Sequence, residues 1–308
     1  MIRKIMSVLL CAVFLVSSMG MAAAEPSDAL LAKLDAIEKD TYGAEQTGAV
    51  MERINRLEKD YDGKHREGSM MARIDAIYNE VYVNGNEPCK QALLNAIQWN
   101  IHQEVSTGPV QKRIADLEMQ INGKTEEGTF SERIDRLGRE SFGENTLPMV
   151  KVDMPANTLV KIALSEPVST KNLKVGDKVH YHVAEDVMVD GVLLFVKGAE
   201  GEGTVTKVRP ARNFGRNAEL VIDFEKTKTI DGTYVDTFVG DVAKKEMTNL
   251  AMAAGASIAG IVLLGPLGVI AGAFVKGKNI EHPEGTEVFI QTRNDEMLYG
   301  VQTALTAE

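Results

Sequence analysis

A 20-residue repeat constrains this chain more than any other feature, because a unit that short cannot bury its own apolar face and must stack on copies of itself. Lys33-Leu34-Asp35-Ala36-Ile37-Glu38-Lys39-Asp40 recurs as Arg53-Ile54-Asn55-Arg56-Leu57-Glu58-Lys59-Asp60, and the pattern returns from Arg73, Arg113 and Arg133. The unit at 93 is degenerate but in register, with Leu94 and Ile97 at the two apolar positions. Six units therefore run from residue 33 to about 143.

Four of the six units carry a glycine after the helical stretch (Gly43, Gly63, Gly123, Gly143), and four glycines precede a next helix (Gly48, Gly68, Gly108, Gly128). The first set suits helix C-termini, where a positive φ is needed. Thr129-Phe130-Ser131-Glu132 is a capping box, and Ser69 is placed to cap the third helix. Val50, Ile54, Leu57 and Tyr61 fall on one helical face. Each unit thus predicts a helix of about 13 residues and a short turn, marginal alone. Either a small solenoid of stacked helices or a bundle assembled between chains would bury the stripe. The regular glycines argue against one continuous coiled coil. Arg53, Glu58, Lys59 and their equivalents read as a solvated face with local pairing, or as a ligand-reading surface. Trp99 and Pro88, in the irregular middle units, read as a packing plug where the array bends.

Ahead of the repeat, Arg3 and Lys4 precede an apolar stretch from Ile5 to Val16 and the small-residue run Ala22-Ala23-Ala24. That order predicts a cleavable export signal over 1–24, with an apolar core too short to span a bilayer. Cys11 lies well before the cleavage site, which excludes a lipoprotein signal. Loss of those two basic residues takes the net charge from −10 to −12. An acidic chain without a basic stripe is no candidate for nucleic acid. Cys89 is then the only cysteine, expected as a buried, inert thiol rather than an intermolecular crosslink.

After Leu147-Pro148 the pattern changes from period 3.6 to period 2, so the domains are expected at 25–146 and 147–308. Strand candidates lie at 159–164, 178–183, 187–189, 192–196, 203–208, 218–224, 233–239 and 286–292. Asp190-Gly191 joins two of them as a hairpin, and Asp231-Gly232 joins another pair. Pro283-Glu284-Gly285-Thr286 echoes Pro155-Ala156-Asn157-Thr158. This predicts an antiparallel barrel or sandwich. Residues 250–275 carry no charge and interrupt the strands. Gly255, Gly260, Gly265, Gly268 and Gly272 punctuate the stretch, with small residues four apart as in closely packed helices. Gly265-Pro266 divides it, and the first piece is about 22 Å long as a helix, short of the roughly 30 Å bilayer core. A kinked spanning helix, an inserted helical hairpin in a ring, and a hairpin buried on the β domain are the three readings.

Residues 155–292 resemble the C-terminal barrel domain of the outer-membrane channel scaffold of bacterial type IV secretion systems (the TrbI-like family). The matching phrases are Thr158-Leu159-Val160, Val183-Ala184-Glu185-Asp186-Val187 before the Asp-Gly hairpin, Phe195-Val196-Lys197-Gly198, the apolar insertion, and Pro283-Glu284-Gly285-Thr286. The resemblance covers under half of the chain. It implies a barrel with a helical hairpin that lines an outer-membrane pore. Where that family has a cytoplasmic segment and an inner-membrane helix, this sequence has the export signal.

The chain shows no G-x-S-x-G, H-E-x-x-H or phosphate-binding loop. His180 and His182 share a strand face without a third ligand nearby in sequence, so they are expected on the solvent side, not at a metal. The Gly198–Gly203 run is glycine-rich but acidic and would repel phosphate. Arg209, Arg212 and Arg216 cluster in one loop that suits an anionic glycan or lipid head group, or is merely solvated. The expectation is a non-enzymatic envelope protein of the periplasm or outer membrane, with no cofactor or metal. It would contact a membrane through 250–275 and a partner or its own copies through the helical repeats. A soluble periplasmic or secreted binding module is the alternative.

Overall fold

The computed structural model describes residues 26–143, 149–211, 218–253 and 279–302. The six repeat units form six helices: α1 (Pro26–Tyr42), α2 (Val50–Asp62), α3 (Met70–Tyr82), α4 (Lys90–His102), α5 (Val110–Asn122) and α6 (Phe130–Phe142). All but the first are 13 residues long. Gly63 and Gly123 end their helices in the left-handed conformation, and each donates its N–H to the carbonyl four residues back. Thr129 and Glu132 form the expected capping box, and Ser69 accepts from the Ala72 N–H. In the degenerate fourth unit Gln103 takes the left-handed φ that Gly63 and Gly123 take in theirs, whereas Val83 ends the third helix extended.

The apolar stripes meet in one helical core through Leu34, Ile54, Ile74, Leu94, Ile114 and Ile134, one residue from each unit. The helices close on themselves: α1 packs on α3 and α5, and α6 on α2 and α4. The expected solvated face is different from that reading. Arg53 and Glu58 are buried. Each such arginine reaches back into the preceding unit, where Arg53 pairs with Glu38 and Asp35, Arg73 with Glu58, and Arg133 with Glu118. The same glutamates accept a loop N–H eight residues on, from Gln46, Arg66 and Glu126. One carboxylate thus fixes both the turn and the next helix, and only Lys59 of the three named positions stays exposed.

The β region begins with β1 (Val150–Met154) and β2 (Leu159–Leu164), followed by β3 (Val168–Ser169), β4 (Lys178–Val183), β5 (Val187–Val189) and β6 (Val192–Phe195). Then come β7 (Glu200–Arg209), β8 (Glu219–Lys228), β9 (Tyr234–Phe238), helix α7 (Asp241–Ala253), β10 (Glu281–His282), β11 (Glu287–Thr292) and β12 (Glu296–Gln302). Six strands close an antiparallel barrel in the order β11-β2-β4-β7-β8-β9. Its interior is filled by side chains such as Ile162, Val179, Tyr181 and Phe224, all buried. The Pro155 and Pro283 phrases are the same turn twice: Thr158 and Thr286 each donate a hydroxyl to the proline carbonyl three residues back, at 2.7 Å. Those turns lead into β2 and β11, which pair with each other.

The Asp190-Gly191 hairpin lies outside the barrel, in a second sheet of order β1-β12-β6-β5. Two strands of that sheet, β1 and β12, were not expected. They are partners of one another across the whole β region, Val150 opposite Gly300.

Candidate functional site

The fourth helix is irregular because it belongs to two cores. Its Leu94 and Ile97 face the other helices, while Cys89, Ala92, Ala96 and Trp99 pack into the core of the β region. Alanines allow the helix close to β12, and polar groups complete the contact. Asn95 Nδ2 donates to the Ile230 carbonyl at 2.8 Å, and Trp99 Nε1 to Asp186 at 2.9 Å. From the loop before α4, Asn84 Nδ2 donates to the Asp231 carbonyl at 3.0 Å. Tyr299 on β12 returns the bond by donating its hydroxyl to the Asn86 carbonyl at 2.5 Å. Trp99 therefore fills the junction between helices and barrel, not a bend within the helical array. Cys89 is buried there too, and burial pushes its thiol up to about 11.

Beside this junction lies a cavity of about 370 Å³. The helical half contributes Asp40, Gln91, Asn95 and Arg113, and the barrel half Glu200 and Lys228. The loop at 105–109 closes it against Val196 and the turn around Gly198. Arg113 occupies the position that Arg53 and Arg73 hold in their units, yet finds amides in place of carboxylates. Its Nε donates to Gln98 Oε1 at 2.9 Å and its Nη2 to Asn95 Oδ1 at 2.7 Å. Burial pulls the Arg113 guanidinium down to about 10, whereas the hydrogen bond it donates to Glu58 raises Arg73. Gln91 Oε1 is buried without a hydrogen-bond donor. Sequence reading missed this site. Its signal was the exchange of the repeat's Glu for Gln98 while Arg113 was kept.

No protein-family model matches the chain, and no curated protein matches it. Among solved structures the chain is similar to ComB10 of the Com type IV secretion system of Helicobacter pylori. The identity is 16% and the TM-score 0.27, over 49% of this chain and 97% of that one.

The positions singled out in the sequence fall as follows. Gly255, Gly260, Gly265, Pro266, Gly268 and Gly272 lie outside the described residues, as do Arg212 and Arg216. Among the described residues no helix is long and apolar enough to cross a membrane. Arg209 sits at the end of β7, 3.4 Å from Glu219. Described residues on either side of the apolar stretch are bonded to the β region. At the near end, the Ala243 N–H of α7 donates to Gln291 on β11 at 3.0 Å. After the stretch, Asn279 accepts from the Ala211 N–H at 3.0 Å. His180 and His182 point away from the barrel interior, and His182 Nδ1 meets the Ser165 hydroxyl at 3.1 Å. No group of three or more His, Cys, Asp or Glu among the described residues is placed to hold a metal.

Proposed function

We propose that this chain is a non-enzymatic scaffold of the bacterial cell envelope, exported through residues 1–24 and held at a membrane through residues 250–275. The helical array is the part that engages a protein partner or a second copy. The observation that carries the reading is the shared core at α4, where Ala92, Ala96 and Trp99 lock the array to the β region. A scaffold has to transmit position between its parts, and a packed apolar junction does so where a linker would not. Residues flanking the uncharged stretch are bonded at Ala243 and Asn279, and Asn279 meets Ala211, the residue before Arg212 in sequence. Basic side chains beside an apolar insertion suit anionic head groups.

The junction cavity favours a second reading, a soluble periplasmic or secreted binding module in which residues 250–275 pack against protein. Fractionation of cells expressing the full chain, with an alkaline carbonate wash, separates the two. Retention of the full chain on membranes, and release of a 250–275 deletion, supports the scaffold. A full chain that is soluble from the start refutes membrane anchoring and leaves the binding module.

A further inference from the structure

We propose that the junction cavity is a binding site for a small carboxylate carrying hydrogen-bond donors at its other end, such as an amino acid or hydroxy acid, with Arg113 as its anion anchor. The repeat itself provides the comparison. In three other units the arginine is neutralised by a glutamate of the preceding unit: Glu38, Glu58 or Glu118. For Arg113 the place of that glutamate is taken by Gln98, and Asn95 stands where Arg73 has Asn55, while the arginine remains, only 3% exposed. A buried cation without a counter-ion is costly, and it is retained on α5 where it faces the junction helix α4 and borders the cavity. Nη1 of Arg113 makes no hydrogen bond to the described residues, so one edge of the guanidinium remains for a planar, two-oxygen anion.

The rest of the wall selects the class. Gln91 Oε1 is a buried acceptor awaiting a donor. Asp40 and Glu200 also line the space, among three cations and two carboxylates in all. Those carboxylates oppose a phosphate dianion but welcome a hydroxyl or ammonium. A volume of about 370 Å³ is near the small end of ligand pockets, which suits a compact molecule. Both halves of the protein contribute, Asn95 being held in place by the Ile230 carbonyl at 2.8 Å. A bound ligand would therefore brace the junction. The inference does not depend on where residues 250–275 lie.

The test is calorimetric titration and thermal melting of the full mature chain with L-serine, D-glycerate, acetate and phosphate at matched ionic strength. Serine or glycerate is expected to bind at one saturable site and raise the melting temperature, with acetate weaker and phosphate inert. Gln98→Glu rebuilds the salt bridge used in the other units. It should raise the melting temperature without ligand and weaken serine or glycerate about 30-fold or more. Arg113→Met should abolish binding, with folding checked by circular dichroism. The proposal is overturned if neither serine nor glycerate binds saturably, if Gln98→Glu binds them as the parent does, or if phosphate binds more tightly than both.

Discussion

Replacing Glu58 should show how much the inter-unit charge ladder holds the helical array together. Glu58 is 0% exposed and accepts from Arg73 Nε at 2.8 Å, Arg73 Nη2 at 2.5 Å and the Arg66 N–H at 3.2 Å. Glu58→Ala removes all three and leaves the buried Arg73 guanidinium with Asn55 as its remaining oxygen partner among the described side chains. Breaking one side of a buried pair costs about 3–5 kcal/mol. Glu58→Gln keeps the shape and an acceptor, as Gln98 does under Arg113, so its cost is the lost charge assistance, about 1.5–3 kcal/mol. The pH dependence gives a second handle. Burial pushes the Glu58 carboxyl up, but the Arg73 hydrogen bond, the Arg66 N–H, the Arg73 charge and His65 together outweigh it and hold the group below its ordinary value. A depressed carboxyl contributes stability in full above its unfolded pKa, roughly 4.3, and loses it as pH falls through the lower folded value. Urea melts near neutrality should therefore show the full Glu58→Gln deficit, and melts in acid a shrinking one. A neutral-pH cost below about 0.5 kcal/mol, the level of a surface substitution, would refute the reasoning, as would a deficit that stays constant into acid.

Gly300→Ala should destabilise the β region by about 1–3 kcal/mol in denaturant melts, since the added Cβ would sit 2.5 Å from the Leu193 carbonyl oxygen of the paired strand; an unchanged midpoint would mean the strands can part there. Cys89, buried and pushed up to about 11, should resist thiol reagents at mildly alkaline pH until denaturant is added, and rapid native labelling would contradict the burial. Charging the apolar stretch with Gly260→Asp should cost about 2.5–3.5 kcal/mol of membrane insertion and release the chain from membranes with its circular dichroism unchanged; unfolding of the β region would instead identify the stretch as protein core.

Local signals were enough for much of this architecture. The boundaries of β2 and β4 follow directly from alternation at 159–164 and 178–183, and the Asp190-Gly191 turn from its dipeptide. The helix lengths follow from the glycine marks, and the caps at Ser69 and Thr129 from residue type. What escaped was long in sequence or ambiguous in letter. β1 and β12 stabilise each other across some 140 residues, and neither stretch carries a turn that announces its partner. Arg53 and Glu58 looked like a solvated face because charged residues on a helix normally are. Their true partners lie one unit away. The regular glutamate-to-arginine spacing of 15, at 38/53, 58/73 and 118/133, was the trace of that pairing. The degenerate unit read as a packing plug where the array bends. Its small residues Ala92 and Ala96 instead mark the face that meets the barrel, a face that only exists once the second half of the chain has folded.

The central claim is that helices and barrel share one core, and Trp99 reports on it directly. It is the only tryptophan in the chain, it is 7% exposed, and its indole N–H binds Asp186 across the junction. Equilibrium unfolding followed by Trp99 emission and by far-ultraviolet circular dichroism is the measurement. One coincident transition, starting from blue-shifted emission, is the predicted result. Early exposure of Trp99 while the helical signal persists would contradict it, because the array would then be a separate body resting on the barrel.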